Sequence, residues 1–180
     1  MKRLDIKILY IADIVGEAGY KVALTHISDI QKKYSIDLTI ANGENAASGR
    51  GLTKKIAESL FNLGIDVITS GNHIWHREKF FPMLNEHPYI LRPLNYPPNC
   101  PGHGSCIIKV DQNYQFGIIN LQGRSFMYPI DCPFRSADSE IKRLKNIGVN
   151  GIIVDFHAEA TAEKVALGWY LDGRVSAVIG

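Results

Sequence analysis

Four apolar runs in this sequence end in side chains that can bind or move charge. Ile8-Leu9-Tyr10-Ile11-Ala12 leads into Asp13, and Thr39-Ile40-Ala41 leads into Asn42-Gly43-Glu44-Asn45. Asp66-Val67-Ile68-Thr69-Ser70 passes through Gly71 into Asn72-His73, and Gly151-Ile152-Ile153-Val154-Asp155-Phe156 delivers His157 and then Glu159. Ligands of open α/β folds sit beyond the carboxyl ends of the strands, so four such ends describe one shared pocket. Carboxylate and carboxamide oxygens together with imidazole suit hard to intermediate divalent metals. Taken singly, Asp13 can cap a turn, and His157 can be a satisfied core histidine. Glu44 is harder to explain away, because Glu is rarely placed at the end of a buried strand unless it is paired. Asn42 and Asn45 add to the polarity there.

The chemistry such a set offers is two-metal phosphoryl chemistry. Two divalent ions about 3.5 to 4 Å apart polarise a phosphoryl group and steady its leaving oxygen. One carboxylate must bridge them to offset their repulsion. Glu44, from a central strand, is the expected bridge, with Asp13 and Asn45 completing one shell and Asn72 and His157 the other. His73 points elsewhere than its neighbour Asn72 and is the expected proton donor to the departing alkoxide. Five protein donors are fewer than two ions require, so histidines just past Gly180 are expected from the chemistry.

Other candidates are weaker. Gly49-Arg50-Gly51-Leu52-Thr53-Lys54-Lys55 lacks the spacing of a phosphate loop, and neither a serine elbow nor a dinucleotide fingerprint is present. Cys100-x-x-His103-x-x-Cys106 reads as two ordinary thiols in a turn leading into a strand, and Cys132 as a third reduced cysteine. His26, within a helix, and His87, before Pro88, read as surface residues. The aromatic loop Gly123-Arg124-Ser125-Phe126-Met127-Tyr128-Pro129 is the expected substrate wall, with Arg124, Phe126 and Tyr128 receiving a nucleotide whose base stacks without much specificity.

The elements that must position these residues follow from periodicity. Val22, Leu24, Ile27 and Ile30, up to Tyr34, predict an amphipathic helix. A strand over 37–41 follows, then a helix from Lys54 to about Leu63, capped by Thr53 and ended by Gly64. A third strand and a short helix over 77–84 complete a βαβαβ beginning with mostly parallel strands. Leu91-Arg92-Pro93-Leu94-Asn95-Tyr96-Pro97-Pro98 is expected to wrap a surface in extended conformation. Ser105 to Val110 and Gln115 to Leu121 predict an antiparallel hairpin. A helix from Pro133 or Phe134 to Asn146, a helix over 161–171 and a strand over 174–180 close the chain. The last strand has the look of those that hand a ligand to the pocket, and the expectation is a single domain over 1–180 whose C-terminal part continues beyond Gly180.

The 180 residues suffice for one domain with a sizeable core. A charged fraction of 21% and a hydrophobic fraction of 46% are those of a soluble globular protein. The net charge of +2 gives no support to a dedicated nucleic-acid binder and leaves direct RNA binding open. No apolar run approaches 18 residues, and no cleavage site follows the basic start, so a cytoplasmic enzyme without a membrane anchor is expected.

Ile11-Ala12-Asp13-Ile14-Val15-Gly16, Asn42-Gly43-Glu44-Asn45-Ala46-Ala47, Gly71-Asn72-His73, Asn120-Leu121-Gln122-Gly123-Arg124 and Asp155-Phe156-His157-Ala158-Glu159-Ala160-Thr161 resemble the YmdB-type bacterial metallophosphoesterases, a branch of the calcineurin-like superfamily. The resemblance covers nearly the whole chain. It implies an α/β sandwich of two mixed β-sheets flanked by helices, a di-iron or di-manganese centre, and phosphodiesterase activity on 2',3'-cyclic nucleotides. It places the metal residues on Asp13, Glu44, Asn45, Asn72 and His157 and the proton donor on His73. It also implies a Thr-His-Thr-His run after the strand ending at Gly180. Relative to the wider superfamily, Asp13-x-Val15 stands where Asp-x-His is usual, and Glu44 where the bridge is usually Asp, so substrates do not transfer from better known phosphatases. A phosphomonoesterase or 5'-nucleotidase on the same centre, and a regulatory RNA-associated scaffold without important turnover, remain alternatives. A homo-oligomer is expected, and poor activity if the 180 residues are the whole molecule.

Overall fold

The computed structural model describes residues 5–180. The first half is a βαβαβ unit made of β1 (Ile8–Ile11), α1 (Gly16–Tyr34), β2 (Leu38–Asn42), α2 (Lys54–Asn62) and β3 (Val67–Thr69). Its strands form a parallel sheet in the order β1-β2-β3, with Ile8 opposite Leu38 and Ile40 opposite Val67. The central strand β2 is buried along its whole length, as a strand covered on both faces must be. Thr53 caps α2 as expected, its Oγ1 accepting from the Ile56 amide at 3.4 Å. The face of α1 differs from expectation. Ala23 and Ile27 are buried with Tyr20 packed beside them, whereas Val22 and Leu24 are exposed. Positions 20, 23 and 27 share one helical stripe, and 22 and 24 flank it.

Beyond β3 the expected helix over 77–84 is replaced by two 3₁₀ turns, Asn72–His76 and Glu78–Phe80, and a one-and-a-half-turn α3 (Phe81–Glu86). Arg77, extended at φ −126° and ψ 89°, breaks the run, and Pro82 restarts it in the first turn of α3.

The second half contains β4 (Ser105–Lys109), β5 (Gln115–Gln122), α4 (Pro133–Ile147), β6 (Gly151–His157), α5 (Thr161–Leu171) and β7 (Ala177–Ile179). The sheet order is β4-β5-β6-β7, antiparallel at the expected hairpin and parallel thereafter. Mixing of strand directions is therefore confined to this sheet. Gly148, at φ 87°, stops α4 and returns its amide to the carbonyls of Leu144 and Lys145.

The two sheets face each other through Leu38, Ile40 and Val67 on one side and Phe116, Ile118 and Ile153 on the other. The outer face of the second sheet carries Ile119, Leu121, Ile152, Val154 and Phe156 against Ala137, Ile141 and Leu144 of α4 and Leu167 and Leu171 of α5. Strand alternation thus turns Ile152, Val154 and Phe156 outward and Ile153, Asp155 and His157 toward the first sheet.

The proline-bounded segment wraps a surface only at its end, where Pro97 and Pro98 are exposed; its first part is interior. Ile90 and Leu91 bridge to Ile68 and Leu91 to His103, and Ile90, Leu91, Arg92 and Asn95 are buried. Asn95 locks the segment to the second sheet, accepting from the Gln122 amide at 2.9 Å and donating to the carbonyls of Gln122 and Asp131 at 2.8 and 2.9 Å. Prolines tolerate an extended interior path when side-chain amides replace the ladder bonds they cannot donate.

The packing has a direct test. Leu144 is fully buried, and a Cβ on Gly117 of β5 would lie 2.6 Å from its Cδ1, so the helix is seated on the sheet through this contact. Leu144→Ala should lower the free energy of unfolding by about 2–5 kcal/mol, while Val22→Ala should change it by no more than about 0.5 kcal/mol. Urea denaturation midpoints at constant slope distinguish the two.

Candidate metal centre

The strand ends converge as the sequence predicts. Asp13 follows β1, Glu44 and Asn45 follow β2, Asn72 and His73 open the turn after β3, and His157 ends β6. The loop after β2 is tied to its neighbours by backbone bonds: Gly43 donates to the Thr69 carbonyl, Ile14 to that of Asn42, and Gly16 to that of Asn45. These bonds fix Glu44 between the other strand ends.

Glu44 is the centre of the cluster and is 1% exposed. Its Oε2 accepts from the His73 amide at 3.0 Å, and its Oε1 lies 3.3 Å from His157 Nε2 and 3.9 Å from His73 Nδ1. Asn45 Nδ2 donates to both carboxylate oxygens of Asp13 at 3.0 Å, while Asn45 Oδ1 lies 2.6 Å from His73 Nδ1. A carboxamide oxygen only accepts, so Nδ1 carries the proton in His73 and Nε2 is left for another partner. His157 Nε2 lies 3.1 Å from Asn72 Oδ1. Gly71 makes this approach possible, since any Cβ there would collide with the His157 ring.

The electrostatics are those of a carboxylate in want of a cation. Burial, reinforced by the charges of Asp13 and Asp155, pushes the Glu44 carboxyl up to about 7, even though backbone amides of His73 and Gly71 pull the other way. Burial also holds the imidazoles of His73 and His157 below their ordinary value, with the charges of His76 and Arg50 adding to the effect at His73. No cation among the described residues therefore neutralises Glu44 at neutral pH. Among the described residues, no three carboxylate, imidazole or thiolate side chains stand together as a ready metal-binding group. Two of the five expected donors are carboxamides, Asn45 and Asn72, which such a grouping does not count. The set fits divalent ions by its chemistry: a buried carboxylate between two neutral imidazoles, a second carboxylate beside it, and amide oxygens on either flank. In the arrangement seen here Asn45 turns its NH₂ to Asp13, and its oxygen faces His73.

A floor of polar residues lies behind the cluster, which the sequence reading did not single out. Tyr10 donates its hydroxyl to Asp155 at 2.9 Å, and the Ser70 amide donates to Asn120 Oδ1 at 2.8 Å. Burial pushes the Asp155 carboxyl up to about 6 and the Tyr10 hydroxyl well above its ordinary range. Asp155 stands two residues before His157 on a strand, so period-two alternation could have found it on the same face. Nothing local marked Tyr10, whose partner is 145 residues away.

Phe126 and Tyr128 are exposed beside the centre and, with Asn72, Met127, Pro129 and Glu159, line a cavity of about 430 Å³. Arg124 is exposed at the start of this loop and does not line the cavity; its amide and that of Ser125 are held by the Glu163 carboxylate at 3.0–3.1 Å. The three cysteines are unpaired, with Cys106 buried and its thiol pushed up to about 12 by burial. His26 is exposed as expected, whereas His87 is half-buried and stacks on Phe61 at 4.3 Å.

A family model described as YmdB-like protein matches residues 9–180. The chain is 45% identical over 175 residues to a 2',3'-cyclic-nucleotide 2'-phosphodiesterase of Bacillus subtilis (strain 168), covering 97% of this chain and 66% of the relative. The fold is similar to a hypothetical protein from Thermus thermophilus, with a TM-score of 0.87, 40% identity, and coverage of 95% of this chain and 65% of the other. It is similar to a novel phosphatase of Mycoplasma pneumoniae, also at 0.87, with 32% identity and coverage of 97% and 64%. The chain thus spans just under two thirds of the length of the relatives it matches.

The burial of Glu44 predicts how stability responds to pH when metal is chelated. A carboxyl whose folded value, about 7, lies above its ordinary 4.5 favours folding in its protonated form. That contribution is full below the ordinary value and is lost as pH rises through 7. Wild type and Glu44→Gln should consequently have similar urea midpoints near pH 4.5, and wild type should be the less stable of the two near about pH 8. A difference between them that does not change with pH would contradict the burial argument.

Proposed function

The chain belongs to the YmdB-like family, and on that premise we propose that the protein is a metal-dependent phosphodiesterase that hydrolyses 2',3'-cyclic nucleotides through a dinuclear centre of iron or manganese. The observation that carries this reading is the buried Glu44 carboxylate, held between His73 and His157 with no cation among the described residues to neutralise it. The relative in Bacillus subtilis bears the name of that activity. A phosphomonoesterase reading shares the same donors. The open cavity lined by Phe126 and Tyr128 favours a substrate with a base to stack.

In this reading Glu44 would be the carboxylate shared by the two ions, Asp13 and Asn45 would help hold one, and Asn72 and His157 the other. Two such ions, when bound, polarise a phosphoryl group and lower the pKa of water. The remaining work belongs to the chain. His157, which burial favours as the neutral imidazole, would bind through Nε2 in the tautomer that carries its proton on Nδ1. Asn45 accepts from His73 Nδ1 and so fixes the ring with Nε2 free of that contact. To act as the proton donor, Nε2 must first take up a proton from solvent; the imidazolium would then pass it to the departing ribose oxygen and return to the neutral form protonated on Nδ1. Phe126 and Tyr128 orient the nucleotide by stacking, and Glu163 holds their loop by its two amides. A cytoplasmic, homo-oligomeric enzyme is part of the same proposal.

Two sets of variants test it. His73→Ala should keep its metals and lose roughly 10²- to 10⁴-fold in turnover on a 2',3'-cyclic nucleotide, with a much smaller loss on bis-p-nitrophenyl phosphate, whose leaving group departs without a proton. Equal losses on both substrates would remove His73 from the proton-donor role, and loss of metal would make it a ligand.

Phe126→Ala and Tyr128→Ala should raise KM for cyclic nucleotides more than for a small aryl phosphate ester. Equal changes for the two substrates would mean that the aromatic loop serves packing alone.

A further inference from the structure

A second cavity, of about 570 Å³, lies between the 92–98 segment and the N-terminal half of α4 and shares no lining residue with the metal centre. Arg92 forms part of its wall and is 5% exposed. Its Nη1 donates to the carbonyls of Pro93 at 2.8 Å and Leu94 at 3.2 Å, which fixes the plane of the guanidinium. Its Nε is buried with no acceptor, and none of the ion pairs among the described residues includes it. Burial draws this guanidinium below its ordinary value. A buried charge without a counterion is costly, and the surrounding structure gains when one is supplied.

The facing wall offers further donors. α4 begins at Pro133 with no side-chain cap from Cys132, and its first backbone bond runs from Ser136 to the Cys132 carbonyl. Among the described residues, the amides of Phe134 and Arg135 have no acceptor. These free amides sit at the positive end of a 15-residue helix, where anions are favoured. Arg135 lines the same cavity, as does Ser136. Of the two carboxylates in the lining, Glu140 is already held by Arg143 and by the Ser105 hydroxyl, and Asp131 is exposed at the rim, where water screens it.

We propose that this cavity binds a phosphate-class oxyanion, gripped by the guanidinium of Arg92, the guanidinium of Arg135 and the free amide of Arg135 at the start of α4. The guanidinium edge matches two oxygens of a phosphate. A tetrahedral oxyanion has oxygens left to accept from the opposite wall, which a planar carboxylate does not. The occupant is either free phosphate or the phosphate of a small monoester, and the site is separate from the one that would hydrolyse a diester.

Inorganic phosphate and methyl phosphate can be titrated into the protein as purified, following the backbone amides of Phe134, Arg135 and Ser136 and the Arg92 Nε–H by NMR. Saturable shifts at these groups are expected, with affinity weakened about tenfold in Arg135→Ala, the effect of one charge-assisted bond. Arg92→Met should abolish the shifts. Because Arg92 also holds two carbonyls, Arg135→Ala, on an exposed side chain, decides the matter if the first variant folds poorly. Tighter binding of methyl phosphate assigns the site to a monoester, and tighter binding of inorganic phosphate assigns it to the free ion. The proposal is overturned if neither probe saturates, if Arg135→Ala leaves the affinity unchanged, or if the shifts gather around Glu44 and His73 instead.

Discussion

The burial of one carboxylate constrains the rest of this molecule. Glu44 lies at the end of the most enclosed strand, and three backbone bonds from neighbouring loops hold its segment there. A charge in that position needs either a proton or a cation. The groups closest to it supply neither at neutral pH, because burial keeps His73 and His157 uncharged and Asp13 and Asp155 add negative charge. A fold that spends stability on such a site retains it for chemistry, and the oxygen and imidazole donors around it specify a divalent metal.

The two sheets meet at this point because polar groups on their inner faces meet there. Ile153 continues the apolar interior, but Asp155 and His157, one and two pleats further along β6, replace it with a hydrogen bond to Tyr10 of β1 and contacts to Glu44 and Asn72. Asn120 reaches across from β5 to the Ser70 amide, and Asn95 ties the 89–98 segment to Gln122. The candidate centre is therefore the place where both sheets stop being hydrophobic. Its geometry depends on the packing of α4 and α5 behind the second sheet as much as on the residues that line it.

Much of this was legible in the sequence. Apolar runs ending in Asp13, Glu44, Asn72 and His157 gave the strands, their parallel order and the shared pocket, since strand ends in an open α/β arrangement have one place to go. The parts that were not legible depend on long-range partners. Val22 and Leu24 look like core positions until the stripe through Ala23 and Ile27 is seen to be the one that packs. The prolines of the 91–98 segment suggested a surface path, whereas side-chain bonds from Asn95, up to 36 residues away in sequence, allow an interior one over its first part. Tyr10 and Arg92 carry no local signal at all: each is defined by what it faces, an acid across the sandwich in one case and a cavity beside α4 in the other.

The account rests on Glu44 acting as the anion that holds metal. Calorimetric titration of manganese into chelator-stripped wild type and Glu44→Gln addresses this directly, with circular dichroism confirming that both are folded. Removing the negative charge while keeping the shape should weaken manganese binding about a hundredfold or more, at least the loss expected for outer-shell groups that only orient a ligand. Manganese binding by Glu44→Gln with unchanged stoichiometry and affinity would contradict the account.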